Sequence, residues 1–231
     1  MKRIAIHQPN YIPWTGYFYK MTMVDVFVIL DTAQFTKNGY QNRAMIKSPT
    51  GAQWLTQPVK LAEGAFRPTN EISFAGDRWR MKHIETIRMN YGRAKFFKDY
   101  FDEFAYLIET SGENLSRLNI DLIKWISDIL DLKCTITLAS DFPTTLVSTE
   151  RLIEIVKSVG GDVYLSGKGG ENYQDHKLFE KSGIELQVVK FVSSPYPQLW
   201  GEYLPGLSVI DLIFNCGKES ATYLLNSNGA Q

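Results

Sequence analysis

The residues with chemistry in them gather in three short stretches. The first, His7-Gln8-Pro9-Asn10-Tyr11-Ile12-Pro13-Trp14-Thr15-Gly16-Tyr17, places an imidazole, an amide and three aromatic rings on a backbone stiffened by two prolines. His7 suits proton transfer, because its charge changes near neutral pH. Gln8, Tyr11 and Trp14 suit hydrogen bonding and stacking on a substrate, and Gly16 would let a phosphate approach the start of a helix. The second stretch runs from Asp31 through Gln34, Lys37, Asn42, Arg43 and Lys47. Between Thr32 and Ala62 lie Lys37, Arg43, Lys47 and Lys60 but no Asp or Glu, a local charge of +4. Lys37 offers a point charge and Arg43 a two-pronged fork for phosphate or carboxylate. The third is Ser166-Gly167-Lys168-Gly169-Gly170-Glu171-Asn172-Tyr173, whose glycines expose amides that can cradle an anion beside Lys168. Lys168 is followed by Gly, not Ser or Thr, which disfavours a Walker loop.

Each stretch also has a plain reading: His7 as a brace for its loop, the basic run as a solvated face, the glycine loop as a bare turn. Near the C-terminus, Gln198 follows Tyr196-Pro197, and Ser208 with Asp211 reads as a capped helix start. Cys216, in an apolar helix, reads as an inert buried thiol, and His83 and His176 as surface or boundary residues. There is no GxSxG and no HExxH.

Those stretches need a scaffold. Short, non-alternating apolar runs at Arg3 to His7, Val26 to Leu30, Thr135 to Leu138, Val163 to Leu165 and Leu186 to Phe191 predict strands buried on both faces. Between them, Phe97, Phe101, Phe104 and Ile108, then Leu115, Leu118, Leu122, Trp125 and Ile129, follow helical stripes. A further helix is expected to start at Ser148 or Thr149, whose hydroxyl would cap it, and to stop at Gly160-Gly161. Strands alternating with helices predict an α/β, Rossmann-like, mostly parallel sheet in a single domain. Ala44 to Ser48 and Gln53 to Val59 around Pro49-Thr50-Gly51-Ala52 predict a β-hairpin flap at about 40–60, and two long helices at about 78–130 a helical insertion. In such sheets a ligand lies beyond the carboxyl ends of the strands, where His7, Asp31 and Ser166 all fall.

Composition narrows the function. The chain has 231 residues with 25 Lys+Arg against 25 Asp+Glu, so nucleic acid is an improbable partner, since phosphate neutralisation would call for excess positive charge. Cys134 and Cys216 form no CxxC, and three histidines cannot complete a zinc site. No apolar run approaches the ~20 residues of a membrane span. The expectation is a cytoplasmic protein with reduced thiols, no metal, and a small, phosphate-containing substrate.

His7-Gln8-Pro9-x-Tyr11-x-Pro13-Trp14-x-Gly16-Tyr17, with Asp25-Val26-Phe27, Asp31-x-x-Gln34-Phe35-x-Lys37, Asn42-Arg43 and Gly51-x-x-Trp54-Leu55-x-x-Pro58, resembles the WbqC-like protein family. Tyr164-Leu165-Ser166-Gly167, Tyr196-x-Gln198 and Leu207-Ser208-x-x-Asp211 extend the likeness across nearly the whole chain. The resemblance implies a place in surface-polysaccharide (O-antigen, lipopolysaccharide) gene clusters and transfer of an amino acid, glycine, onto a sugar. The strand, proline loop and glycine that opens a helix are also similar to the HxGH nucleotidyltransferase and pantoate-ligase-like topology. Trp14-Thr15-Gly16-Tyr17 stands where those enzymes carry two histidines.

Together these expectations describe an acyl or aminoacyl transferase, or nucleotide-dependent ligase, acting on a nucleotide-linked amino sugar. His7, Asp31 and Lys37 form the catalytic set, with His7 as base and Asp31 orienting it or the substrate. Gln8, Tyr11, Trp14, Gly16, Gln34, Asn42, Arg43, Lys47, Ser166, Gly167, Lys168, Tyr173 and Gln198 form the binding set. The acyl donor would be activated by ATP, as a thioester or on a charged tRNA. The alternative is a non-catalytic nucleotide- or sugar-binding module of a biosynthetic complex.

Overall fold

A computed structural model describes residues 1–61, 67–170 and 174–227. Five strands form one sheet: β1 (Arg3–His7), β2 (Val26–Ile29), β5 (Thr135–Leu138), β6 (Val163–Gly167) and β7 (Glu185–Val189). Their order is β5-β2-β1-β6-β7 and every neighbouring pair is parallel. The expected α/β, Rossmann-like sheet is therefore present. All-parallel strands need a cover on both faces, which is why their runs are apolar throughout. Ala5, Phe27, Ile29 and Leu165 point into the larger core, and Ile4, Ile6, Val26, Val28 and Tyr164 into the smaller one on the opposite face.

The smaller core is closed by α5 (Ser148–Ser158) and α6 (His176–Ser182) through Ile155, Val156 and Phe179. Neither Ser148 nor Thr149 caps α5; its N-cap is Val147, and Thr149 Oγ1 instead accepts the Asp175 amide at 3.0 Å, tying α5 to the start of α6. α5 does end where expected, with Gly160 at φ 68°.

The larger core lies under α1 (Thr15–Met21), α2 (Arg78–Tyr91), α3 (Phe97–Thr110), α4 (Leu115–Ile129), α7 (Val209–Cys216) and α8 (Ser220–Leu225). The 78–130 segment is three helices rather than two, the first ending at Gly92. The buried face of α2 carries Trp79, His83, Ile84, Ile87 and Tyr91, and a histidine within that stripe hid its period. The α3 stripe is buried as the spacing predicts, and α4 starts at Asn114, whose side chain accepts the Arg117 amide at 2.9 Å.

β3 (Arg43–Ser48) and β4 (Gly51–Thr56) make the hairpin, with Ser48 opposite Gly51 and only Pro49-Thr50 between them. The turn is tighter than the four residues expected. Ser48 Oγ, accepting from the Thr50 amide and donating to Gly51 O, replaces the contacts a longer loop would make.

The loop after β1 carries no regular structure and is held from three sides. Tyr11 N donates to Tyr40 O, Ser208 Oγ to Ile12 O, and Asn119 Nδ2 on α4 to both Pro9 O and Gln41 O at 2.9 and 2.7 Å. These bonds hold Ile12, a β-branched residue, at φ 30°. Replacing Asn119 by Ala leaves two carbonyls with no donor; the expected loss is about 1–3 kcal/mol in urea denaturation. An unchanged midpoint would show that Asn119 does not hold the loop.

Candidate functional site

In an open sheet of this order, neighbouring connections leave in opposite directions on either side of β1, between β1 and β6. The ladder between those strands ends at Ala5 and Leu165, although β1 runs on to His7 and β6 to Gly167. The last two residues of each strand are therefore unpaired across this seam, at the carboxyl end of the sheet where such folds form their ligand crevice. His7 and Gln8 stand on one lip; Ser166, Gly167 and Lys168 stand on the other.

His7 donates from Nδ1 to Gln8 O at 3.2 Å, since a carbonyl can only accept. That fixes the tautomer and leaves the Nε2 lone pair available. The ring rests edge-on against Tyr17, 4.6 Å between centroids, and Tyr17 OH donates to the same Gln8 carbonyl. Burial, and secondly the charge of Lys20, push the His7 pKa down to about 3, with Gln8 O pulling weakly the other way. His7 is thus a neutral imidazole at physiological pH.

Lys20 is the residue that the sequence reading missed. It is 5 % exposed on α1, its Nζ donates to Ile6 O at 3.5 Å, and it lies 5.8 Å from the Phe27 ring centroid. Burial lowers its pKa to about 7. The available signal was position: three and four residues after Tyr17 and Gly16, Lys20 falls on the inward face of α1.

On the opposite lip, Ser166 is buried and its Oγ donates to Gly167 O at 3.1 Å. A Cβ on Gly170 would lie 2.4 Å from that Oγ, so the turn packs tightly there, whereas Gly167 and Gly169 face open space. Lys168 is exposed. Tyr173 lies outside the described residues.

Several expected site residues are committed elsewhere. Asp31 does not orient His7: its Oδ1 accepts the Ser140 amide at 3.0 Å and braces the turn after β5. Gly16 is not open to a phosphate, because the Trp14 indole lies over it and a Cβ there would come within 2.4 Å of the ring. Trp14 in turn packs edge-on against Phe191. Tyr11 is buried and bonded through its hydroxyl to His83 Nδ1 at 3.0 Å; His83 is itself buried, not at the surface. Lys47 donates to Gln198 Oε1 and to the carbonyls of Gly201 and Glu202, which uses all three ammonium hydrogens. Gln198 also pairs with both backbone groups of Leu204, directly as donor and acceptor.

Asp211 belongs to that network rather than to a helix cap. It is fully buried, and its Oδ2 accepts the Tyr91 hydroxyl at 2.8 Å. Burial raises its pKa to about 6, against the opposing pull of Tyr91, Tyr196 and Lys47. Cys216 is buried with its thiol pushed up to about 11, also by burial.

The hairpin presents a different surface. Arg43 stacks on Trp54, guanidinium carbon 4.2 Å from the ring centroid, and Tyr40 leans on the same indole at 5.9 Å. Tyr40 and Trp54 are 52 % and 41 % exposed, an aromatic surface open to solvent. Gln34 and Lys37 are exposed in the preceding loop, while Asn42 is buried and donates to Gln57 O. The acid-free stretch is therefore not one basic patch: Lys47 is internal, Arg43 is stacked, and Lys60 faces Glu113 at 3.8 Å.

The model of the WbqC-like protein family matches residues 8–223. A Mycobacterium tuberculosis protein described as uncharacterized is 34% identical over 97% of this chain and 98% of its own length. The chain belongs to the WbqC-like protein family. Membership associates this WbqC-like protein with polysaccharide biosynthesis in general. No solved structure matches it. Among the described residues, no helix is long and apolar enough to cross a membrane.

The buried groups make stability depend on pH. His7 and His83 hold folded pKa values near 3 and 4, below their value of 6.5 in the unfolded chain. The unfolded chain therefore binds more protons between those limits, and each histidine costs stability as pH falls from 6.5. Asp211, raised from 3.8 to about 6, acts oppositely between those two values. Two groups outweigh one, so the urea midpoint is expected to drop from pH 6.5 to pH 4, and less steeply in His7→Gln. An equal slope in that variant would show that the fold does not hold His7 neutral.

Proposed function

We propose that this WbqC-like protein transfers an acyl or aminoacyl group to the amine of a nucleotide-linked amino sugar, in the crevice between β1 and β6. The observation that supports this most is the His7 tautomer: a neutral imidazole whose Nε2 is free, at the strand ends where α/β folds bind ligands. In the reaction the acceptor nitrogen forms a bond to the acyl carbon. His7 Nε2 takes the nitrogen's proton, and the leaving group departs with the electron pair of the bond it breaks. In this reading the amides of the Ser166 to Gly170 turn and the side chain of Lys168 receive the phosphate oxygens. The Arg43, Trp54 and Tyr40 surface suits the apolar face of a sugar ring or a base.

The test is turnover with nucleotide-linked amino sugars against ATP plus amino acid, acyl thioesters and charged tRNA. His7→Gln is expected to lower turnover about 10²–10⁴-fold while nucleotide-sugar binding changes only a few-fold. Trp54→Ala is expected to raise KM with kcat nearly unchanged. Full turnover in His7→Gln removes the base assignment; binding with no turnover under any donor identifies a binding module instead.

A further inference from the structure

Among the described residues, Lys20 is a buried cation with no carboxylate partner. Among those residues no ion pair includes it, and its one side-chain hydrogen bond is to the Ile6 carbonyl at 3.5 Å. The contact lies where the β1–β6 ladder has just ended, one residue before His7. The Phe27 ring, 5.8 Å away at the outer edge of cation–π range, attracts the ammonium but carries no negative charge to neutralise it. Burying such a group unpaired is expensive, and an internal lysine kept only for the fold would be paired or replaced by a methionine of similar length. Its lowered pKa agrees with a missing counter-charge. Ile6 and His7 are consecutive on β1, so the bond to Ile6 O sets the ammonium beside the His7 backbone.

We propose that Lys20 is the counter-charge for an oxyanion, a phosphate or carboxylate oxygen of the ligand, that enters the β1–β6 crevice beside His7. This rests on the crevice being the ligand site. The bound anion completes the pair that the described residues do not supply. It also offsets the Lys20 charge, which after burial is the second cause of the lowered His7 pKa, so the anion that docks against Lys20 restores part of the basicity of the neighbouring imidazole. Lys20 thereby joins a binding role to a positioning role for His7.

The experiment uses the full chain, with sodium pyrophosphate and sodium acetate as separate probes in calorimetric titration and thermal melts, each on the wild type, Lys20→Met, Lys20→Arg and Ser166→Ala. Lys20→Met is expected to melt at or above the wild-type temperature without ligand and to bind the recognised probe at least tenfold more weakly. Lys20→Arg is expected to keep part of the affinity, and the probe that binds distinguishes phosphate from carboxylate. A Lys20→Met protein that melts lower and binds equally well makes Lys20 a brace for Ile6 and overturns the proposal. If wild type binds a probe and Ser166→Ala weakens it but Lys20→Met does not, the crevice stands and Lys20 is excluded. If neither probe binds wild type, the oxyanion and Lys20's part in holding it are both wrong.

Discussion

Everything at the carboxyl end of this sheet depends on the parting of β1 from β6. Parallel strands exchange backbone bonds evenly along their length, so ending the ladder two residues early leaves groups that ordinary pairing would have satisfied. Ile6 O is one of them, and Lys20 answers it from below. The same gap permits His7 to turn its ring against Tyr17 and to bond its own following carbonyl. A sheet paired to its end would seat these side chains among backbone bonds and leave no crevice.

Holding that gap requires support from distant parts of the chain. Asn119 on α4 fixes Pro9, Tyr40 fixes Tyr11, and Ser208 at the start of α7 fixes Ile12. The three-helix segment and the hairpin share one core with His7's face of the sheet, so they form the wall on which the first loop is mounted. The Lys47, Gln198, Tyr91 and Asp211 network fastens the hairpin to α2 and α7 from the inside. Its residues have the types expected of a binding site, yet the three hydrogens of Lys47 and the side-chain oxygen of Gln198 are spent on protein groups.

The strands were legible because each is a short apolar run, and β1 and β5 fall on the expected residues. The buried faces of α3 and α4 followed from unbroken stripes, though not the division of the segment into three helices. α2 was harder to read because His83 interrupts its apolar face, and the fold uses that histidine as a partner for Tyr11. Side-chain type alone marked His7 and Ser166 at strand ends, where position in the chain coincides with position in the sheet. It misplaced Lys47 and Asp31, whose partners Gln198 and Ser140 lie 151 and 109 residues away. Lys20 went unread for the opposite reason: in sequence it resembles a basic residue ending a helix, and only the packing of α1 turns it inward.

The order of the strands has a consequence for biosynthesis. β1 pairs with β2 after only some twenty residues of chain, but its other neighbour, β6, begins at Val163. During synthesis the nascent chain can cover one edge of β1 early, while the opposite edge waits for about 160 residues more to emerge from the ribosome. The crevice wall carrying Ser166 is thus among the last pieces put in place, and a truncated product ending before Val163 would expose a bare central strand where the complete protein has its candidate site.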